Sequence, residues 1–302
     1  MNIYYGIDQQ YKDVTDICIS KLNINNNIVI PSGDFERAKI FGDHLLGQKK
    51  NIKIIFSDKE LIYDEKYILR ICLNNMMLHT INTEIINNEV NNKIQNIHNK
   101  LRIKYGTFND ELHEQKMAVR YLTGNEKVLE IGGNIGRNSL IIASILSSKN
   151  NNNFLVLECD DYIYSQLIEN RDLNNFNFHI ENAALSKRKI IQKGWNTYVS
   201  DIVYEGYKSV PTIKLEELYD KYKIDFDTLV LDCEGAFYYI LIDFPEILNN
   251  IKLIIMENDY HIINDKLYID EVLIKNGFYR DYYEKGGWGP CEDRFFEVWK
   301  KC

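Results

Sequence analysis

The sequence predicts an α/β protein with a mostly parallel sheet and an antiparallel last strand in its larger, C-terminal part. From Glu111 onward, nearly continuous apolar runs alternate with runs of helical spacing, a pattern typical of parallel strands covered by helices on both faces. Three glycines, Gly132, Gly133 and Gly136, lie between the first of these strands and an apolar helical run. The alternating segment 295–299, FFEVW, predicts the antiparallel final strand.

Composition excludes several classes of protein. The 302 residues are 45% hydrophobic and 26% charged, which is enough apolar material for a large packed core and a small second one. A formal net charge of −8, without a local basic patch, disfavours nucleic acid as the main partner. The start of the chain lacks the pattern of a signal peptide, and no run approaches the roughly 18 to 20 apolar residues of a membrane span. We therefore expect a cytoplasmic protein without a membrane partner.

The six cysteines are scattered, without a C-x-x-C pair or histidines at zinc-ligand spacing. Free thiols are expected in a cytoplasmic chain. The asparagine-rich tracts predict loops and helix ends and carry no chemistry.

The first part of the chain predicts a small β-rich or mixed domain. Short β-prone runs such as NIYYG, NIVIP and NIKIIFS alternate with turn-forming stretches over residues 1–80, and a connecting helix is predicted to end at Gly106. We place the boundary after residue 105, giving an accessory module of residues 1–105 and a second domain of residues 106–302. Every feature suited to a cofactor lies beyond residue 127. The module is therefore expected to contact the acceptor or a second subunit of a homo-oligomer.

The strands of the second domain share one property, because each of them ends in a polar residue. Ligands bind at the carboxyl ends of the strands in open parallel sheets, so these residues are candidates for a binding site. The strand-end residues, in chain order, are Glu130, Glu158, Asn182, Asp232 and Glu257.

The glycine turn and the next strand together favour one kind of cofactor. The spacing G-G-x-x-G differs from the G-x-G-x-x-G of dinucleotide-binding turns, and G-x-x-x-x-G-K-[ST] is missing as well, so phosphate is not what the loop needs. Glu158 closes the strand FLVLE, where an acid can accept hydrogen bonds from both ribose hydroxyls. An adenosine without a pyrophosphate fits these features, and S-adenosylmethionine is such a molecule.

Three segments of the chain resemble the FkbM-type methyltransferases. They are VLEIGGNIGRNS, TIKLEELYDKYKIDFDTLVLDCEGAF and IKLIIMEND, and the resemblance covers roughly residues 110–300. Glu130 and Gly133 stand where that family has aspartate and alanine, and the D-x-E-G element is its more specific motif. The resemblance implies a Rossmann-like class I methyltransferase domain that transfers a methyl group to hydroxyls of sugars, glycans or sugar-containing metabolites. The asparagine-rich texture and added N-terminal module also resemble homologues encoded by large DNA viruses.

The resemblance also assigns the cofactor site residue by residue. It places the methionine part of S-adenosylmethionine against the glycine loop, the ribose on Glu158, and the adenine beside the end of the third strand. The residues it implies for the loop and the adenine are Glu130, Gly132, Gly133, Asn134, Gly136, Asn182 and Ala183.

Three residues are candidates for the catalytic step. A sugar hydroxyl is a weak nucleophile at neutral pH, so a base or a metal ion is expected beside it. Asp232 and Glu234 straddle the end of the fourth strand in LDCEGAF, and His261 follows the fifth. Asp232 as a cap of the following helix is the structural alternative.

A magnesium site is the sharper hypothesis. Asp232 ends one strand while Glu257 and Asn258 end the next, an arrangement that resembles the layout by which catechol-type methyltransferases hold Mg²⁺. Ligands that are all oxygen atoms suit that ion. A metal-free site with the same acids remains the alternative.

Two tryptophans, Trp195 and Trp288, are candidates for stacking on a sugar face, with packing on neighbouring side chains as the alternative.

The sequence is compatible with three functions. The first is an O-methyltransferase acting on a sugar or a small metabolite. The second is a nucleic-acid methyltransferase acting on the RNA cap ribose, which the charge and the missing lysines disfavour. The third is a non-catalytic interaction protein on the same fold.

Overall fold

A computed structural model of the protein describes residues 1–24, 26–56 and 59–301. The chain forms two compact units, Met1–Asn91 and Asn92–Cys302. Residues 92–105 belong to the second unit. The independent folding of residues 1–105 stays a prediction. None of the helices in the described ranges is long and apolar enough to cross a membrane.

The first unit contains two antiparallel sheets of four strands, in the orders β2-β1-β5-β6 and β3-β4-β7-β8. Its strands are β1 (Asn2–Ile7), β2 (Gln10–Asp13), β3 (Asn23–Ile24), β4 (Asn27–Ile30), β5 (Asn51–Phe56), β6 (Lys59–Tyr63), β7 (Tyr67–Cys72) and β8 (Met77–Asn82). Its helices are α1 (Thr15–Lys21) and α2 (Asp34–Phe41), and α3 (Thr83–His98) runs across the division into the second unit. The prediction of a small β-rich or mixed module is thus confirmed.

The core of the first unit comes from alternate residues of its strands. Ile3 and Tyr5 of β1 and Ile52 and Ile54 of β5 are fully buried. Apart from Gly6, which is also buried, their neighbours in sequence are more exposed, as the two-residue period of a strand with one buried face requires.

The second unit alternates strands and helices along the chain. Its helices are α4 (Leu112–Tyr121), α5 (Arg137–Ser147), α6 (Asp161–Leu173), α7 (Leu215–Tyr222), α8 (Phe237–Asp243) and α9 (Ile263–Lys275). The strands of its large sheet are β9 (Val128–Ile131), β10 (Phe154–Leu157), β11 (His179–Glu181), β17 (Thr228–Leu231), β18 (Leu253–Glu257), β19 (Phe278–Glu284) and β20 (Phe296–Lys301).

The large sheet has the strand order β11-β10-β9-β17-β18-β20-β19. The first five strands in this order run parallel, and β20 is antiparallel to both of its neighbours, β18 and β19. All residues of β9, β10 and β17 are buried, because helices cover both faces of the sheet. The antiparallel last strand predicted from FFEVW is therefore confirmed, and β19 is an additional strand that the sequence pattern did not reveal.

Five short strands lie between β11 and α7. They are β12 (Ala184–Leu185), β13 (Ile190–Lys193), β14 (Asn196–Val199), β15 (Lys208–Val210) and β16 (Thr212–Ile213). Strand β12 pairs in parallel with β16, while β14, β13 and β15 form a separate antiparallel sheet in that order. We call residues 190–210, which carry this sheet, the insert.

The connecting helix ends earlier than predicted. Helix α3 stops at His98 and not at Gly106. Beyond it, the backbone N–H groups of Arg102 and Lys104 donate to the side-chain oxygens of Asn174 and Asn170 at 2.7 and 2.8 Å. These contacts with helix α6 satisfy backbone donors that a continued helix would have paired internally. A tertiary interaction has replaced the local helical preference.

Candidate functional site

Three strand ends meet at one edge of the large sheet. Ile131 at the end of β9 pairs with Leu157 of β10 on one side and with Leu231 of β17 on the other. The residues that follow these three, Gly132, Glu158 and Asp232, therefore emerge side by side. Of the polar strand ends predicted from the sequence, Glu158 and Asp232 are brought together here by the register of the parallel strands.

The glycine turn is shaped by two close approaches of the backbone. Gly132 has φ +90°, and a Cβ atom there would lie 1.6 Å from the carbonyl oxygen of Asp232. A Cβ on Gly133 would lie 2.1 Å from Cγ1 of Val156. The backbone N–H groups of both glycines donate to the carbonyl oxygen of Leu157 at 3.0 Å. Glycine is needed because any side chain would separate the loop from β10 and β17.

Glu158 is held at the mouth of this loop by two backbone donors. The N–H of Asn134 donates to its Oε2 and the N–H of Asp160 to its Oε1, each at 2.8 Å. Burial raises the pKa of this carboxyl, while the two hydrogen bonds oppose that rise. Each oxygen has a further lone pair for a ligand, so the arrangement suits a pair of vicinal hydroxyls.

A cavity of about 520 Å³ opens at this edge, a size typical of small-molecule sites. It is lined by the ends of β9, β10 and β17, by residues 183–186, by the insert and by one face of α8. The predicted site residues that line it are Gly132, Asn134, Glu158, Ala183, Asp232 and Glu234.

The turn after β17 has an unusual backbone. Glu234 and Gly235 adopt left-handed φ values of +51° and +77°. The N–H of Gly235 donates to Oδ1 of Asp259 at 2.9 Å, which fixes the turn against the end of β18. Helix α8 follows Ala236 without a capping side chain. Asp232 therefore lines the cavity and does not cap this helix.

Several acids near the turn raise one another's pKa. For Asp232 burial is the main cause of the raised pKa, with the charge of Asp259 next. Burial and then Glu234 raise the pKa of Asp259 to about 7. The pKa of Glu257 is raised by burial, by a hydrogen bond with Glu114 and by Asp232. A cation bound at this edge would relieve the mutual repulsion of these carboxylates.

Four residues assigned to the cofactor lie behind the cavity and support its wall. Glu130 points towards α5, where the hydroxyl of Ser139 donates to its Oε2 at 2.5 Å. Gly136 has φ +92° and precedes α5, and Gly133 packs against β10. The side-chain amide of Asn182 donates to the carbonyl oxygen of Glu158 at 2.9 Å. Direct contact of these residues with a cofactor stays a prediction.

His261, the third catalytic candidate, and Trp288 lie together outside the cavity lining. The rings of His261 and Trp288 have centroids 4.7 Å apart. The charge of His261 lowers the pKa of Glu234, although burial raises that pKa by more. His261 therefore lies near Glu234 but does not line the cavity. Trp195, in contrast, lines the cavity.

The structure gives no support for the magnesium site. The side-chain N–H of Asn258 donates to the carbonyl oxygen of Arg294 at 2.7 Å, so this residue is engaged with the backbone. Glu257 is hydrogen-bonded to Glu114. Over the described ranges, no group of three or more His, Cys, Asp or Glu side chains can hold a metal ion.

Sequence reasoning missed functional candidates of two kinds. Glu111, Glu114 and Asp259 contribute to the charge at the site, but the first two precede the glycine loop on a helix with no motif. Gln192 and Tyr239 line the cavity from the insert and from α8. The run IIQKGWNTYV has two β-prone segments around a glycine, which is a hairpin pattern that could have revealed the insert.

The strand order with one antiparallel strand next to the edge defines the second unit as a Rossmann-like fold of the class I methyltransferase type. No protein-family model matches the chain. No curated protein matches it either.

Solved structures similar to this chain include several methyltransferases. An O-methyltransferase from Bacillus cereus in complex with SAH is 14% identical with a TM-score of 0.39, covering 72% of this chain and 90% of that one. Methyltransferase FkbM from Methylobacillus flagellatus KT is 12% identical with a TM-score of 0.42, covering 68% of this chain and 57% of that one. A ribosomal protein L11 methylase from Lactobacillus delbrueckii subsp. bulgaricus is 15% identical with a TM-score of 0.38, covering 63% and 78%. These similarities concern the fold and lend no support to a viral relationship.

Proposed function

We propose that the protein is an S-adenosylmethionine-dependent O-methyltransferase of the FkbM type, acting on a hydroxyl group of a sugar, a glycan or a sugar-containing metabolite. The observation that carries the proposal is the placement of Glu158. Its two oxygens are oriented by backbone donors at the edge of a class I methyltransferase sheet, next to a glycine loop and opposite Asp232. This is where the ribose of an adenosine would be held.

The residues at this edge fit the cofactor in shape and in charge. Gly132 lines the cavity, and its lack of a side chain lets the loop lie against the carbonyl oxygen of Asp232 at the end of β17. S-adenosylmethionine carries a sulfonium and an ammonium group, and burial together with the charges of neighbouring acids raises the pKa values of Asp232 and Glu257. Positive charge in this place would favour their ionised forms. Glu158 would hold the ribose hydroxyls, and Ala183 would border the adenine.

Asp232 is the first candidate for the general base that acts on the acceptor hydroxyl. When bound, S-adenosylmethionine supplies an electrophilic methyl group. Asp232 lines the cavity, and burial raises the pKa of its carboxyl, which makes the ionised form a stronger base. It would orient the acceptor hydroxyl and accept its proton as the oxygen attacks. Glu234, on the same turn, is the second candidate base.

The charges of the cavity favour a neutral acceptor over a polyphosphate or an RNA cap. Among the described residues that line the cavity, Arg188 is the only basic one, and its Nη2 lies 2.6 Å from Oδ1 of Asp243. This pairing leaves no free cation in the lining to hold a phosphate, while several acids would repel one. A polyhydroxyl compound without charge avoids that cost.

The test is a donor-consumption assay with purified protein, S-adenosylmethionine and a panel of methyl glycosides, nucleotide sugars, glycans and capped RNA. We expect S-adenosylhomocysteine to form with a sugar acceptor and the methyl group to be found on a sugar oxygen. The Glu158→Ala variant is the control for a site-dependent reaction. Methylation of capped RNA alone would contradict the sugar proposal. Binding of the cofactor without transfer to any acceptor would favour the non-catalytic alternative.

A further inference from the structure

One wall of the cavity comes from outside the large sheet. Gln192 on β13, Trp195 in the following turn, and Thr197 and Tyr198 on β14 all line it. These residues belong to the antiparallel sheet of the insert, which pairs β13 with β14 and β15. Gly132 and Glu158 line the same cavity. None of the residues that we assign to the cofactor lies in the insert, so we consider the insert as the place for a second ligand.

Gln192 supplies a buried polar side chain that lacks a hydrogen bond. Its side chain is 5% exposed and its Oε1 has no hydrogen-bond partner in the described part of the chain. A buried amide oxygen without a partner is costly, and such groups in folded proteins normally meet a donor. Because Gln192 lines the cavity, a hydroxyl of a ligand bound there is a candidate donor for this oxygen.

Trp195 supplies an apolar surface beside this polar group. It lines the cavity and yet is 61% exposed, and Tyr198 on the neighbouring strand is 49% exposed. A tryptophan left open at the rim of a cavity offers a flat, rigid surface at low entropic cost. The C–H face of a sugar ring matches such a surface, while its hydroxyls match an amide oxygen.

We propose that the insert is the acceptor subsite, in which the face of a neutral sugar ring stacks on Trp195 and one of its hydroxyls donates to Oε1 of Gln192. This inference rests on the proposed function and adds the residues that select the acceptor. The Arg188–Asp243 pair is consistent with it, because a paired cation in the lining disfavours an anionic ring substituent such as a phosphate.

The experiment uses saturation-transfer NMR on the full chain loaded with S-adenosylhomocysteine. The probes are methyl glycosides of glucose, galactose, mannose, fucose and rhamnose, with a cap dinucleotide for comparison. We expect at least one glycoside to receive saturation on its ring protons from the wild-type protein. The Trp195→Ala and Gln192→Met variants should each weaken its binding by about tenfold or more. Trp288→Ala is the matched control, because Trp288 is 42% exposed and lies outside the cavity lining.

Each outcome decides the inference. Loss of glycoside binding in the Trp195 and Gln192 variants, with binding kept in the Trp288 variant, supports it. Equal binding by all four proteins, binding of the cap dinucleotide alone, or no glycoside binding by the wild type overturns it. Calorimetry with S-adenosylhomocysteine on the same samples reports the cofactor site separately. Failure there would count against the proposed function, whereas intact cofactor binding without a glycoside contact would count against the acceptor subsite alone.

Discussion

Replacing Glu130 by glutamine should change how the stability of the second unit depends on pH. Glu130 is 3% exposed, and burial raises its pKa from 4.5 to about 8 despite the hydrogen bond from Ser139. Glutamine has nearly the same shape and cannot ionise. Its carbonyl oxygen can also accept the hydrogen bond that Nδ2 of Asn138 donates to Oε1 of Glu130 at 3.4 Å. The substitution therefore removes a titration and leaves the packing in place.

The sign of the effect follows from the direction of the shift. Between pH 4.5 and about 8 the folded protein keeps the proton of Glu130 while the unfolded chain has lost it, so the free energy of unfolding falls as pH rises. The stabilisation is fully present below pH 4.5 and is lost by about pH 8. At about 1.36 kcal/mol per pH unit, this gap corresponds to a loss on the order of 5 kcal/mol.

Denaturant unfolding followed by tryptophan fluorescence at intervals from pH 5 to pH 9 measures this loss. All three tryptophans, Trp195, Trp288 and Trp299, belong to the second unit, so the fluorescence reports its unfolding. We expect the decline in unfolding free energy above pH 5 to be several kcal/mol smaller in Glu130→Gln than in the wild type. Glu271→Gln, on the exposed face of α9, is the control that should keep the wild-type slope. Parallel curves for the Glu130 variant and the wild type would refute the reasoning.

Three further predictions concern the loop, the cofactor and the catalytic step. Glu158→Ala should weaken binding of S-adenosylhomocysteine by about tenfold or more in calorimetry, and unchanged affinity would contradict the ribose assignment. Asp232→Asn should keep the fold and cofactor affinity while turnover falls on the order of 100-fold, and near-normal turnover would transfer the role to Glu234. Gly132→Ala should lower the melting temperature far more than Gly277→Ala. Both positions have left-handed φ values, but only at Gly132 would the added Cβ atom collide with a backbone atom. Equal losses in the two variants would show that this collision does not determine the cost of the substitution.

Much of the fold was determined by the local sequence pattern. Strands β9, β10 and β17 are apolar throughout because helices cover both faces of the sheet, so their existence and parallel direction could be predicted. The ends of β9, β10 and β17 had to meet, because parallel strands in register share one carboxyl edge. For that reason the residues that end these strands were predicted to share one binding edge, and the structure places Gly132, Glu158 and Asp232 side by side there.

Other parts of the site were decided only by tertiary packing. Ile131 faces the cavity and Glu130 faces α5, since adjacent residues of a strand point to opposite faces and the sequence does not tell which helix covers which face. Glu111, Glu114 and Asp259 reach the same edge from α4 and from beyond β18, and no spacing along the chain reports that convergence. The insert lines the same cavity as the glycine loop for the same reason, because contacts between segments distant in sequence depend on how the layers pack and not on the order of the residues.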